Sequence, residues 1–152
     1  MKRFRFSLRP VALLRSHQEL KAREVFGAAV QAYVISEEAH AAAKARSAAF
    51  ERELFTGRRE RFNAAVESEN LSAYRQEVAA ESAAERNVFT ARSAMDRARA
   101  AYLEAHRKVE VVRRLEEKAR LNHRLESARE EQASFDDFAA RRHSTREPLF
   151  RT

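Results

Sequence analysis

The chain has 152 residues, 35% of them charged, with two Gly, two Pro, no Trp, no Cys and a formal net charge of +7. A vocabulary so rich in Ala, Arg and Glu fits long exposed helices better than a globule, and the lack of Cys excludes disulfides, zinc–thiolate sites and thiol catalysis. The apolar run at residues 11–14 is too short for a signal-peptide core or a membrane span, so a soluble, cytoplasmic protein without a targeting segment is expected.

Residues 2–9 alternate aromatic and basic side chains. Lys2, Arg3, Arg5, Arg9 and Arg15 face no acid in the first fifteen positions. Ser7 is a candidate N-cap, with Pro10 inside the first turn that follows. From Leu8 to about Thr56 nothing breaks a helix, and Leu13, Leu20, Gly27, Val34, Ala41, Ala48 and Phe55 recur every seven residues. Phe26, Val30, Tyr33 and Ala45 widen that stripe, and the Ala-rich stretch at 39–49 leaves the register open there. Thr56 and Gly57 form the favoured break, because Gly costs about 1 kcal/mol inside a helix and is common just past a helix end. A helix continuous through Gly57 stays open, since Phe55, Phe62 and Val66 share a face.

A short helix is expected at about 58–68, followed by a second capping signal at Asn70, Leu71 and Ser72. A long helix then runs from about 72 to 142, through Tyr74 and Val78 to the clearest periodicity in the chain. Val88, Met95, Tyr102 and Val109 recur every seven residues, each followed three residues later by Ala91, Ala98, Ala105 or Val112. This is a coiled-coil seam with small knobs that allow close approach. Leu115, Leu121, Leu125, Ala128, Phe135 and Phe138 continue the apolar positions, and 143–152 reads as a flexible tail.

The expected fold is therefore all-α: a single domain, 1–152, forming a long antiparallel two-helix coiled-coil hairpin with a short helical segment at the turn. Facing positions should sum to about 127 for a turn centred between 57 and 70. Leu13 then lies opposite Arg114, and the helix beyond about residue 120 has no intrachain partner. An uncovered stripe there implies a socket on another protein, the alternative being a frayed end. The basic residues at both termini, Arg141, Arg142, Arg146 and Arg151 among them, would make one positive pole, although Arg-rich helices also simply serve solubility.

The two ends carry a resemblance. FRFSLRPVALLRSHQELKARE at residues 4–24 resembles the opening of FliJ-family flagellar export proteins, and SFDDFAARR at residues 134–142 is similar to the family's closing stretch. The resemblance implies a non-enzymatic component of the flagellar type III export apparatus. Such proteins are stalk-like two-helix coiled coils whose paired termini enter the hexameric export ATPase (FliI-like) and promote its assembly. They also contact the export gate (FlhA-like) in the inner membrane, and some escort export chaperones. Carried onto this chain, the ATPase-facing residues would be Phe4, Phe6, Leu13, Leu14, Arg15, Phe135, Asp136, Asp137, Phe138, Ala139 and Arg141. The gate-facing surface would lie nearer the turn, with Phe50, Leu54, Phe55, Phe62, Leu71 and Tyr74 as candidates that match no motif.

Catalytic and cofactor signatures are missing from the sequence. Gly27 and Gly57 are isolated, so no glycine loop can cradle a phosphate. Glu37 and His40 share a helix face, but a di-iron site needs a second such pair and further Glu from neighbouring helices. Asp136 and Asp137 point about 100° apart and make a poor acid/base pair. No enzyme activity, cofactor or metal is expected. Rival readings are the stalk of a virulence-type secretion system, a coiled-coil scaffold, and a basic nucleic-acid-binding protein. The last is disfavoured by near charge balance in the central region, which offers no continuous phosphate track.

Overall fold

The computed structural model of the chain describes residues 3–60 and 63–144. It is an all-α helical hairpin of two elements, α1 (Arg9–Glu60, 52 residues) and α2 (Ala64–Ser144, 81 residues). The chain divides into two compact units: Met1–His17 with His106–Thr152, and Gln18–Ala105.

α1 begins two residues after Ser7. The Leu8 carbonyl accepts the first helical bond from the Ala12 N–H at 2.9 Å, with Pro10 in the first turn, where its missing N–H costs nothing. The expected break at Gly57 does not occur. Gly57 is helical with no positive φ, and α1 runs on to Glu60. The penalty of about 1 kcal/mol for one helical Gly is small beside tertiary packing, and Leu54 and the Arg58–Glu67 ion pair flank it. Residues 58–68 therefore form no separate helix: the first three end α1 and the last five open α2. The cap of α2 is Asn63, whose Oδ1 accepts the Ala65 N–H at 3.0 Å and whose carbonyl accepts Glu67 N–H at 2.9 Å. Asn70 is half-buried inside the helix.

Within the unit Gln18–Ala105 the two helices pack through a heptad seam. On α2 it runs through Tyr74, Glu77, Glu81, Ala84, Val88, Ala91, Met95, Ala98, Tyr102 and Ala105, all buried or half-buried, so the periodicity read at 88–105 is the packing surface. On α1 the seam is Ala22, Phe26, Ala29, Tyr33, Ser36, His40, Ala43, Ser47, Phe50 and Leu54. This lies one residue away from the expected column, and Leu20, Val34 and Phe55 are exposed. Burial explains the phase. Turning α1 by one position would cover Leu20, Val34 and Phe55 but bare Phe26, Tyr33, Phe50 and Leu54, the larger apolar area.

Phe26 stacks on Tyr102 with centroids 6.1 Å apart and planes 9° from parallel, a geometry worth about 0.5–1.5 kcal/mol beyond area. Ser47 is buried and donates to Glu81, and Arg46 reaches Glu77 at 3.4 Å. Phe26 with Tyr102 and Ser47 with Glu81 each sum to 128, which agrees with the antiparallel register expected from the sequence. The core is thin. Among the described residues only Ala43, Ala98 and Val112 are buried apolar side chains, and none of them is completely sealed from solvent. His40 lies in the seam, and among the described residues no group of three or more metal-ligating side chains forms. Tyr33 donates its hydroxyl to Glu37, and this bond to a carboxylate holds the phenol above its usual 10.0.

Within the unit that gathers both chain ends, Ala12 and Arg15 of α1 and Val109, Val112, Glu116, Ala119 and His123 of α2 are the half-buried or buried seam positions. Leu115, Leu121 and Leu125 are exposed instead of packed. No helix among the described residues is long and apolar enough to cross a membrane.

Candidate partner-binding surface

Residues 3–6 lead into α1 without being helical, and their alternation sorts the side chains. Phe4 and Phe6 are half-buried while Arg3 and Arg5 are exposed. Phe4 meets His123 edge to face at 5.5 Å and 73°, and the Arg120 guanidinium lies 5.7 Å from its ring centroid. The N-terminal segment thus carries intrachain packing a few residues past the expected limit of about 120, to His123. Burying the Phe4 ring against an imidazole and a cation anchors that segment. Around it opens a cleft of about 710 Å³ lined by Arg3, Phe4, Arg5, Phe6, Arg9, Ala12, Leu13 and Ser16, with Glu116 and Arg120 from α2. Leu13 is 66% exposed and Leu14 54%. Arg15 is half-buried and engaged.

Past His123 the pattern changes. The seam spacing would next fall on Glu126, Glu130, Ala133 and Asp137, three of them acidic, whereas the apolar residues Leu121, Leu125, Ala128, Phe135 and Phe138 occupy another face. Every side chain described from Ala128 to His143 is exposed, Phe135 by 70% and Phe138 by 61%. Two exposed Phe one helical turn apart are what an interface anchor looks like before its partner arrives. Asp136 accepts from the Gln132 amide at 3.1 Å, and Arg142 lies 5.5 Å from the Phe138 centroid. Asp137 and Arg141 are exposed on the same stretch. The candidates drawn from the two ends of the sequence are therefore gathered in one unit.

The second candidate group fares differently. Phe50, Leu54, Leu71 and Tyr74 are half-buried, with Phe50, Leu54 and Tyr74 in the seam, so they spend their surface on holding the hairpin together. Phe55 is exposed, and Phe62 lies outside the described residues. Phe50 and Leu54 also line a cleft of about 160 Å³ beside Gly57, Arg58, Asn63 and Glu67.

The roles of Glu116, Arg120 and His123 were missed in the sequence, though a signal for Glu116 and His123 was present. Extending the 88–112 heptad by one and a half repeats lands on 116, 119 and 123. Leu115 and Leu121 are more apolar than Glu116 and His123, yet they are exposed while Glu116, Ala119 and His123 hold the seam.

Comparison with curated proteins and with solved structures returns no match. The family model described as flagellar FliJ protein, by contrast, matches residues 4–148, nearly the whole chain. The chain therefore belongs to the FliJ family, whose members are non-catalytic components of flagellar protein export.

Proposed function

We propose that this protein is the central stalk of the flagellar export ATPase. The unit holding both chain ends enters the hexameric, FliI-like ATPase and promotes its assembly, and the turn side reaches the FlhA-like export gate. Escort of export chaperones belongs to the same reading, as does a cytoplasmic location peripheral to the inner membrane at the flagellar base. The observation that carries it is the exposed stretch 128–143, where Phe135 and Phe138 stand uncovered on a face offset from the intramolecular seam. Burying each ring in a partner supplies about 1.5–3 kcal/mol, and the surrounding arginines steer the encounter more than they hold it. On the turn side only Phe55 offers comparable exposed area among the described candidates, so the gate contact centres on it.

The test is capture of purified hexameric export ATPase by the full-length chain and by its Phe135→Ala/Phe138→Ala variant. The intact chain retains the ATPase. The variant loses most of it, by at least about a hundredfold in affinity for two anchors of that size. Undiminished capture by the variant would overturn the assignment of this stretch.

A further inference from the structure

The cleft of the terminal unit carries more positive charge than its own residues use. Arg3, Arg5 and Arg9 line it from one side and Arg120 from the other, and the single acid in the lining, Glu116, is engaged by Arg120 at 2.7 Å. Among the described residues Arg3, Arg5 and Arg9 form no ion pair. Like charges that line one cleft repel one another, and an anionic ligand relieves that repulsion. The cleft is also held in place, because Phe4 is pinned between His123 and Arg120 and so fixes where its neighbours Arg3 and Arg5 emerge.

We infer that this cleft receives a carboxylate-rich segment of the partner protein that the terminal unit contacts. Arg3, Arg5 and Arg9 each take an Asp or Glu side chain, and an apolar residue of the segment covers Leu13. The inference rests on the proposed stalk function for the existence of that partner. Arginine suits the ligand: its planar fork meets a carboxylate in two parallel charge-assisted bonds and sheds its water more readily than an ammonium. The wall formed by Ala12 and the two-thirds exposed Leu13 favours a peptide over a bare oxyanion, which would leave that apolar surface wet. The chain's own acidic stretch does not fill the cleft. On one straight helix Glu130 lies about 15 Å beyond Arg120, and Asp136 about 24 Å.

The test is fluorescence anisotropy of a labelled hexaglutamate peptide titrated with the full-length protein. The variants are Arg3→Glu/Arg5→Glu/Arg9→Glu and, as a control with the same change in charge, Arg75→Glu/Arg97→Glu/Arg107→Glu, whose residues are exposed and outside the cleft lining. All six arginines are exposed, so helicity by circular dichroism should be unchanged in both. The wild type binds saturably, the cleft variant weakens binding by about tenfold or more, and the control changes it by about twofold or less. Absence of saturable binding, equal weakening by the control, complete displacement by millimolar inorganic phosphate, or tighter binding of a short DNA duplex would each overturn the inference. The ATPase capture assay separates the two claims. If the cleft variant still captures the ATPase while Phe135→Ala/Phe138→Ala does not, the stalk reading stands and the cleft is not where the partner's acids bind.

Discussion

Among the described residues Ala43 is the most buried apolar one at 2% exposure, whereas Ala41, two positions away on the same helix, is exposed. Converting each to Asp in separate variants tests where the α1 seam runs. Both changes impose the same helix-propensity penalty, so the difference between them isolates burial. At position 43 the short carboxylate would replace a side chain that is only 2% exposed. Leaving an unpaired polar group buried costs about 1–3 kcal/mol, and more while it is charged. The Ala43→Asp chain should therefore be less stable than the Ala41→Asp chain by about 2–4 kcal/mol, read from urea unfolding followed by circular dichroism. The pH dependence has a definite sign. Burial raises the folded-state pKa of the carboxyl introduced at position 43 above its unfolded value, so the extra penalty is absent below the unfolded pKa and grows as pH rises through the folded one. Equal stability of the two variants, or a greater loss at position 41, would place the seam on the Ala41–Ala48 column and refute the packing described above.

Three other outcomes follow from the same structure. Gly27→Ala and Gly57→Ala should each stabilise the fold by about 0.5–1 kcal/mol, because both glycines are helical, have no positive φ, and have open space where a Cβ would sit; a thermal melt reads this directly. Asn63→Ala should cost about 0.5–2 kcal/mol by removing the cap of α2, measured by urea unfolding. Replacing Phe135 and Phe138 by Ala should leave the unfolding midpoint unchanged, since both rings are exposed and surface changes of this kind stay within about 0.5 kcal/mol.

How much of this was legible in the sequence differs between the two helices for a physical reason. On α2 the residues that pack are the ones that look apolar: Val88, Met95 and Tyr102 alternate with Ala91, Ala98 and Ala105, so spacing and burial coincide. On α1 they do not. Its seam includes Ser36, His40 and Ser47, while Leu20, Val34 and Phe55 form an equally regular column that faces outward. Periodicity alone cannot choose between two columns one residue apart. What decides is the partner surface, where Phe26 meets Tyr102 and Ser47 meets Glu81. The turn falls within the expected span 57–70, but the end of α1 was expected too early because a lone Gly is a weak signal beside continuous packing, and the cap of α2, Asn63, sits between Phe62 and Ala64 with no flanking Gly or Pro. At the candidate site, the uncovered Phe135 and Phe138 were readable because nothing in the sequence could face them. The cleft was not, because Arg120 and Glu116 join Arg3, Arg5 and Arg9 only when the N-terminal segment folds against α2.

The central claim is that the exposed end of α2 meets the export ATPase. Its most direct test is site-specific photocrosslinking in flagellated cells, with a benzophenone side chain in place of Phe138 in one strain and of Phe89, an even more exposed ring in the other unit, in a second. Crosslinking to the hexameric ATPase from position 138 and not from position 89 is the expected result. Crosslinking from position 89 with none from position 138 would contradict it.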